Sequence, residues 1–303
     1  MIKKTLYFGN PAYLSLKLEQ LVIKTQKQED DGESLTKTIP IEDIGVVVLD
    51  HRQITITQGV MEKLLENNCA VITCDSRHLP VGLLLPLVGN TVQNERFRSQ
   101  IDSSLPLRKQ LWQQTIQAKI ANQAAVLEYS TSRRHGNMLA WVSQVKSGDS
   151  DNVEARAATY YWKTIFPESP DFLRGQFEDD PNVLFNYGYA VLRAVVARSL
   201  VMSGLLPTLG IHHHNRYNAY CLADDIMEPY RPYVDRLVLD IIAEDGTLSL
   251  TQSAKLRLLS IPVLDVEIDG HTSPLMVAVS TTTASLAKCF GGDLRKIVYP
   301  IMI

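Results

Sequence analysis

The pattern of apolar and polar positions changes once along the chain, close to residue 90. Before that point, short apolar runs with a period of two, separated by turn residues, predict a set of β-strands. The run Ile44-Gly-Val-Val-Val-Leu49 is continuously apolar and is typical of a strand buried on both faces. Gln58 to Glu66 has a helical pattern, and the polar residues 26–34 predict a hairpin loop. The predicted strands are residues 5–8, 12–18, 21–25, 36–39, 44–49, 54–57, 70–74 and 81–85.

After residue 90 the apolar positions recur every three or four residues, which predicts helices. The chain is therefore predicted to be an α+β protein, with a small β-rich N-terminal domain at 1–86, a linker at 87–90 and a mostly α-helical domain at 91–303. A loop is predicted at 166–180 and a small ribbon at 262–270. The predicted helices are residues 92–102, 107–129, 138–145, 182–203, 219–227, 234–242, 250–259 and 274–299.

Composition places the protein in the globular class, with 303 residues, 45% hydrophobic and 21% charged. No run approaches the roughly 18 apolar residues of a membrane span, and no secretion signal is expected at the N-terminus. Four scattered cysteines without zinc-finger spacing predict reduced thiols in a cytoplasmic protein. They are Cys69, Cys74, Cys221 and Cys289.

Charge is unevenly distributed, although the net charge of the chain is only −3. Residues 90–146 carry eight basic and three acidic side chains, whereas acidic residues predominate on both sides of this segment. A basic segment can be a phosphate-binding face. A solvated helix face explains the same charge pattern, and charge alone favours that explanation.

The densest group of chemically active side chains lies in residues 209–232, which hold three histidines, three carboxylates and two arginines. Asp224, Asp225 and Glu228 lie within one helical turn and should repel one another unless a cation neutralises them. Arg231 is an alternative source of that charge. Pro229 disfavours a helical conformation at the preceding acid and predicts a break there.

A second informative segment begins near Asp151 and Asn152, either of which can cap a helix. Glu154 then shares one helical face with small and aromatic residues, which would point it into a packed groove. A glutamate that only complements the helix dipole explains the same position, and position alone favours that explanation.

Three blocks of the sequence, with further agreement at 39–49 and 71–82, resemble the universal integrase of CRISPR adaptation, most closely its type II branch. The resemblance covers nearly the whole chain in order, so it is specific. The blocks are Asp151-Asn-Val-Glu-Ala-Arg-Ala-Ala-Thr-Tyr-Tyr-Trp162, Asn182-Val-Leu-Phe-Asn-Tyr-Gly-Tyr-Ala-Val-Leu192, and Gly210-Ile-His-His-His-Asn followed by Leu222-Ala-Asp-Asp-Ile-Met-Glu-Pro-Tyr-Arg-Pro232.

The resemblance implies that Glu154, His213 and Glu228 are the catalytic metal ligands, with Asp225 as a supporting acid. His213 is chosen among the three histidines because the family ligand ends a Gly-x-x-His step. The family usually has Gly after the first glutamate, where this chain has Ala155. The oxygen-rich ligand set suits Mg²⁺ or Mn²⁺. The resemblance also implies an obligate homodimer, with the β-rich domain serving dimerisation.

The activity that the resemblance implies is transesterification: 3′-hydroxyl ends of prespacer DNA are joined to the repeat of a CRISPR array, with accompanying endonuclease activity. The implied partners are double-stranded DNA, a small ferredoxin-like protein bridging two dimers, and type II effector and accessory adaptation proteins. Two alternatives remain: a zinc-dependent hydrolase using His212, His214 and Cys221, and a non-catalytic DNA-binding scaffold. The residues predicted to contact DNA are Arg96, Arg98, Arg108, Lys109, Lys119, Arg133, Arg134 and Arg216.

Overall fold

The structure is a computed structural model that describes residues 3–25, 35–166, 172–175 and 180–302. The chain divides into two compact units, Met1–Gly89 and Asn90–Ile303. The predicted hairpin loop at 26–34 and most of the predicted loop at 166–180 lie outside the described residues.

The described residues of the first unit form two four-stranded sheets and one α-helix, α1 (Gln58–Glu66). Its strands agree with the periodicity of the sequence. They are β1 (Lys4–Phe8), β2 (Ala12–Lys17), β3 (Gln20–Thr25), β4 (Leu35–Pro40), β5 (Ile44–Leu49), β6 (Ile54–Ile56), β7 (Ala70–Cys74) and β8 (Pro80–Leu84).

One sheet has the strand order β1-β5-β7-β8, with the first three strands parallel and β8 antiparallel. The other sheet has the order β4-β3-β2-β6, antiparallel except for the β2–β6 pair. β5 lies between two neighbours, and its residues Ile44 to Val48 are buried, as its continuous apolar run predicted. Leu14, Leu21 and Leu64 join this strand in the core.

The second unit is mostly helical, with one two-stranded antiparallel ribbon. No helix among the described residues is long and apolar enough to cross a membrane. The elements are α2 (Gln93–Ile101), α3 (Leu105–Thr131), α4 (Gly136–Gln144), α5 (Val153–Thr164), α6 (Asn182–Met202), α7 (Cys221–Met227), α8 (Arg231–Asp245), α9 (Gln252–Leu258), β9 (Asp265–Ile268), β10 (His271–Pro274) and α10 (Leu275–Gly291).

Helix α3 is the element on which the functional region is built. Its 27 residues pack against α4, α5 and α8 and against the turn between α7 and α8. The predicted stripe of Ile116, Ile120, Ala124 and Leu127 is at most 4% exposed. Because several elements cover the same helix, polar residues in its middle are buried together with the apolar ones.

The last predicted helix ends earlier than its apolar pattern suggested. α10 stops at Gly291, because Gly292 takes a left-handed conformation with φ of 87°. The prediction of helix to Tyr299 is therefore wrong beyond that point. The following segment is non-helical, and Ile301 pairs with Glu267 of β9 in an antiparallel bridge.

Candidate metal and nucleic-acid site

Glu154 lies at the start of α5. An acid upstream of the predicted cap, Asp149, stabilises this end of the helix. The carboxylate of Asp149 accepts hydrogen bonds from the first two backbone N–H groups of the helix, at 2.9 and 3.0 Å. The prediction that Asp151 or Asn152 caps this helix is wrong. Asn152 takes a left-handed conformation with φ of 53° and makes no side-chain cap. The resulting helix start puts Glu154 in the first turn, facing α3.

Glu228 lies where the chain leaves α7. The residues Glu228–Tyr230 form a 3₁₀ turn before α8 begins. Glu228 itself keeps a right-handed helical backbone, with φ of −52° and ψ of −45°, so the prediction that Pro229 disfavours that conformation is wrong, and the chain changes from α to 3₁₀ geometry instead. Asn122 of α3 donates a hydrogen bond of 2.8 Å from its side-chain amide to the carbonyl oxygen of Pro229. The turn is thereby held against the middle of α3, with the Glu228 side chain 8% exposed.

The two glutamates converge on the ammonium group of Lys119. Its Nζ lies 2.6 Å from Oε1 of Glu154 and 2.7 Å from Oε2 of Glu228. Arg231 approaches the other oxygen of Glu228 at 3.0 Å. Neither Oε2 of Glu228 nor Nε of Arg231 makes a well-directed hydrogen bond, so charge attraction holds both groups. The site therefore already places one positive charge between two of the predicted metal ligands.

These contacts determine the charge state of the cluster. Burial alone would raise the pKa of the Glu228 carboxyl, but Arg231 and Lys119 hold it below its ordinary value. Burial alone would lower the pKa of Lys119, but Glu228 and Glu154 raise it above its ordinary value. The group is thus a charged one, with anionic Glu228 and cationic Lys119.

His213 is oriented by Asp225, which is fully buried. Nδ1 of His213 lies 2.5 Å from Oδ1 of Asp225, and Oδ2 accepts a 2.9 Å hydrogen bond from the backbone N–H of His212. The hydrogen bond to Asp225 raises the pKa of His213. It also commits Nδ1, so Nε2 is the nitrogen with which the ring can bind a metal.

Gly210 explains the Gly-x-x-His step in physical terms. A Cβ at this position would lie 2.3 Å from the carbonyl oxygen of His213 and 2.8 Å from Oδ2 of Asp225. The backbone at His213 can approach Asp225 closely because residue 210 has no side chain.

The neighbouring histidines and Cys221 have other surroundings. The His212 ring stacks on Trp112 of α3 with a centroid distance of 4.1 Å, and burial lowers its pKa. Burial raises the pKa of the Cys221 thiol, which disfavours the thiolate that binds zinc. In the part of the chain that the structure describes, no three His, Cys, Asp or Glu side chains are grouped to hold a metal ion. The zinc alternative, which needs His212, His214 and Cys221 together, therefore lacks its ligand geometry. The same finding applies to Glu154, His213 and Glu228, which are not grouped as three ligands around one point among the described residues.

The three acids near the end of α7 do not share one cation. Asp224 points elsewhere, with Nε of Arg193 at 2.6 Å and the amide of Asn218 at 2.7 Å. Asp225 is occupied by His213, and Glu228 by the two cations already described. Of the two sources of counter-charge that the sequence left open, Arg231 is present at Glu228, so the mutual repulsion of these acids does not require a bound ion.

The carboxylate part of the donor set nevertheless fits a divalent ion. Two carboxylates face one cation position, and Oε2 of Glu228 is buried without a directed hydrogen bond. His213 is close enough for Glu228 and Glu154 to act on its pKa. Hard oxygen ligands supplemented by one imidazole suit Mg²⁺ or Mn²⁺.

The basic residues predicted to contact DNA fall into different environments. Lys119 is 9% exposed and fully engaged by the two glutamates, so the prediction that it contacts the DNA backbone is wrong for this structure. Arg96 donates a 2.6 Å hydrogen bond to the carbonyl oxygen of Ser203, and Arg108 is half-buried. The others are exposed and stay predictions. They are Arg98, Lys109, Arg133, Arg134 and Arg216.

Two cavities adjoin these groups. One has a volume of about 420 Å³ and is lined by His213, Arg108 and Arg216 among others. The other, of about 240 Å³, is lined by Lys119 and Glu228 together with the side chains of Arg174, Arg231 and Asp235. The pairing of Lys119 with the two glutamates was not predicted from the sequence. The signal was present, because Lys119 lies three residues after Ile116 and next to Ile120, on the buried side of α3.

Solved structures share this fold. A casposase bound to integration product matches with a TM-score of 0.79 and 21% identity, covering 98% of this chain and 92% of that one. A Cas1 protein from Thermotoga maritima matches with a TM-score of 0.72 and 15% identity, covering 96% and 97%. At these identities the likeness establishes the fold alone.

Sequence comparison establishes the family. The family described as CRISPR associated protein Cas1 matches residues 6–249. The CRISPR-associated endonuclease Cas1 of Neisseria meningitidis is 36% identical over 288 residues, covering 94% of this chain and 91% of the relative. A second relative, from Pyrobaculum aerophilum, is 27% identical over 274 residues. The chain belongs to the Cas1 family, which confirms the resemblance, and the Neisseria relative is consistent with the type II branch.

Proposed function

We propose that this protein joins the 3′-hydroxyl ends of prespacer DNA to the repeat of a CRISPR array by metal-dependent transesterification, and that it also cleaves DNA. The observation that carries the proposal is the convergence of Glu154 and Glu228 on one cation position. Family membership and the likeness to a casposase bound to integration product support the same reaction class.

Glu154, Glu228 and His213 are the residues that would hold a Mg²⁺ or Mn²⁺ ion. Such an ion, when bound, lowers the pKa of a hydroxyl group and neutralises charge on a phosphodiester. Asp225 fixes the ring of His213, and Asn122 fixes the turn that carries Glu228. Asp149 fixes the first turn of α5. Each proposed ligand is thus held by its own hydrogen-bonded support.

The cavity of about 420 Å³ is where we place the phosphate under attack. His213 lines it, together with Arg216 and Arg108. Because Arg108 lines the cavity, its guanidinium group can donate to a phosphate oxygen there. The exposed arginines and lysines of the second unit would contact the duplex backbone without reading its sequence.

The proposed partners are a second copy of the chain and the small ferredoxin-like protein that bridges two dimers. One similar structure is a Cas6-RT-Cas1–Cas2 complex, with a TM-score of 0.73 and 20% identity; the alignment covers 97% of this chain and 35% of that one. Type II effector and accessory adaptation proteins are further proposed partners. We place this activity in the cytoplasm, where the CRISPR array lies.

The test is strand transfer of a duplex with free 3′-hydroxyl ends into a plasmid carrying a repeat, with Mn²⁺ or with chelator. We expect joining that chelator abolishes and that Glu228→Gln lowers at least about 100-fold. Glu128→Gln is the matched control, because Glu128 is an exposed residue of α3. Joining that persists in chelator, or in Glu228→Gln, would contradict the proposal. If the protein binds DNA but the wild type joins none, the non-catalytic scaffold is the better account.

A further inference from the structure

Lys119 has an unusual environment for a lysine. It lies in the middle of α3, is 9% exposed and is 11% exposed in its side chain. Buried lysines need compensation, because a charge taken from water without a partner is strongly unfavourable. Here the compensation comes from the two glutamates at 2.6 and 2.7 Å. Lys119 and these acids therefore form one mutually dependent cluster.

The ammonium group and a divalent ion need the same place. A Mg²⁺ or Mn²⁺ ion held by Glu154 and Glu228 would compete with the ammonium group for the same two carboxylates. An ammonium group cannot stay there, because two cations would then occupy adjoining positions among the same ligands. Binding of the ion thus requires exchange with the ammonium.

The fold has room for that exchange. The cavity of about 240 Å³ adjoins both Lys119 and Glu228, and it is lined by Asp235 as well as by Arg174 and Arg231. A lysine side chain has four rotatable carbon segments, so its end can move into this cavity while α3 stays in place. Arg231 remains 3.0 Å from the other oxygen of Glu228 and keeps a counter-charge there.

We infer that Lys119 is an internal cation that a divalent ion must displace from Glu154 and Glu228, so that it sets the ion concentration at which the site fills. This inference rests on the proposed metal site. It adds that Lys119 controls how readily that site binds its ion. Removing the ammonium leaves two acids with less counter-charge, which favours the divalent ion. The ion-free protein is destabilised by the same change.

The experiment measures Mn²⁺ binding to the full chain without DNA, by calorimetry or by the electron paramagnetic resonance signal of free Mn²⁺. We expect Lys119→Met to bind Mn²⁺ about tenfold more tightly than the wild type. Lys163→Met is the matched control, because Lys163 is exposed on α5, the helix that carries Glu154, and should bind as the wild type does. Equal or weaker binding by Lys119→Met overturns the inference.

Thermal unfolding supplies a second readout. Lys119→Met should melt lower than the wild type without Mn²⁺, and its melting temperature should rise more on adding Mn²⁺, because a ligand stabilises in proportion to the logarithm of its affinity. An equal rise in both proteins contradicts the inference. If the methionine variant does not fold, Lys119→Gln decides by the same criterion: tighter Mn²⁺ binding supports displacement, and equal or weaker binding overturns it.

The two proposals fail in different ways. Chelator-sensitive joining by the wild type, together with unchanged Mn²⁺ affinity in Lys119→Met, overturns the inference and leaves the proposed function standing. Absence of both Mn²⁺ binding and joining in the wild type overturns the proposed function and the inference with it.

Discussion

Asn122 accepts a hydrogen bond of 3.0 Å from the backbone N–H of Met302, which ties the middle of α3 to the segment that follows α10. Its amide donates to the carbonyl oxygens of Pro229 and Pro300. The Asn122 side chain, which is 1% exposed, therefore joins three segments of the chain next to Glu228.

Replacing that side chain should loosen all three segments. We expect Asn122→Ala to lower the free energy of unfolding by about 3 kcal/mol, because buried backbone groups lose their partners. Strand transfer should fall as well, since the turn at Glu228 loses its anchor. Denaturant unfolding monitored by circular dichroism checks the first effect. Gln117→Ala, a partly exposed change on the same helix, should cost less than about 0.5 kcal/mol.

Asp225 and Asp224 are neighbours with separate roles, which makes them a matched pair. Asp225→Asn should weaken Mn²⁺ binding about 10- to 100-fold, because Asp225 orients His213. Asp224→Asn should leave Mn²⁺ affinity unchanged, because Asp224 contacts Arg193 and Asn218 instead. Titration calorimetry on both variants checks this. Equal losses would show that the two acids act together.

Substitutions of the three adjacent histidines are expected to have different effects on Mn²⁺ binding and stability. His213→Ala should lose Mn²⁺ binding and strand transfer, because only this ring is held by Asp225. His212→Ala should keep Mn²⁺ binding but lose about 1 kcal/mol of stability, because its ring stacks on Trp112. His214→Ala, at an exposed residue, should resemble the wild type. Loss of Mn²⁺ binding in His212→Ala or His214→Ala would overturn the assignment of His213.

The cap of α5 gives a prediction about stability. Asp149→Ala should cost about 1–2 kcal/mol, because two backbone N–H groups of the helix lose their acceptor. Asp151→Ala should cost much less, because Asp151 is exposed and pairs only with exposed Lys146 and its neighbour Ser150. Urea unfolding of the two variants compares them directly. A larger loss in Asp151→Ala would restore it as the cap.

The buried carboxyl group of Asp235 should make a pH-dependent contribution to the stability of the fold. Burial raises the pKa of its carboxyl to about 6, although Tyr189 and Tyr161 donate hydrogen bonds to it. The folded state then binds more protons than the unfolded state between about pH 4 and 6. The contribution of Asp235 is fully present below about pH 4 and is lost as the pH rises through about 6.

Asp235→Asn removes that titration, and the amide can still hydrogen-bond both tyrosines. Its melting temperature relative to the wild type should therefore rise from pH 4 to pH 6.5. A constant difference between Asp235→Asn and the wild type across this range would contradict the prediction.

Much of the architecture followed from local pattern. The strands of the first unit and the stripe of α3 agree with the predicted periods, because a buried face imposes a repeat that the sequence displays. Pro229 marked the short 3₁₀ turn between α7 and α8, although Glu228 itself keeps a helical backbone conformation. The place of Gly210 in the family motif is explained by a contact that no Cβ would permit. The length of α10 was overestimated, because apolar residues continue in the sequence after the helix has ended.

Which charged groups pair with one another was determined by the tertiary structure. Lys119 and Glu154 lie 35 positions apart, and the packing of α3 against α5 and the Glu228 turn brings them together. The sequence contained every charged group of the site, yet it assigned Lys119 to DNA and the helix cap to the wrong residue. Electrostatic partners are chosen by distance in space, which a linear pattern does not encode. Periodicity therefore revealed the helices, whereas tertiary packing determined which acid each cation neutralises.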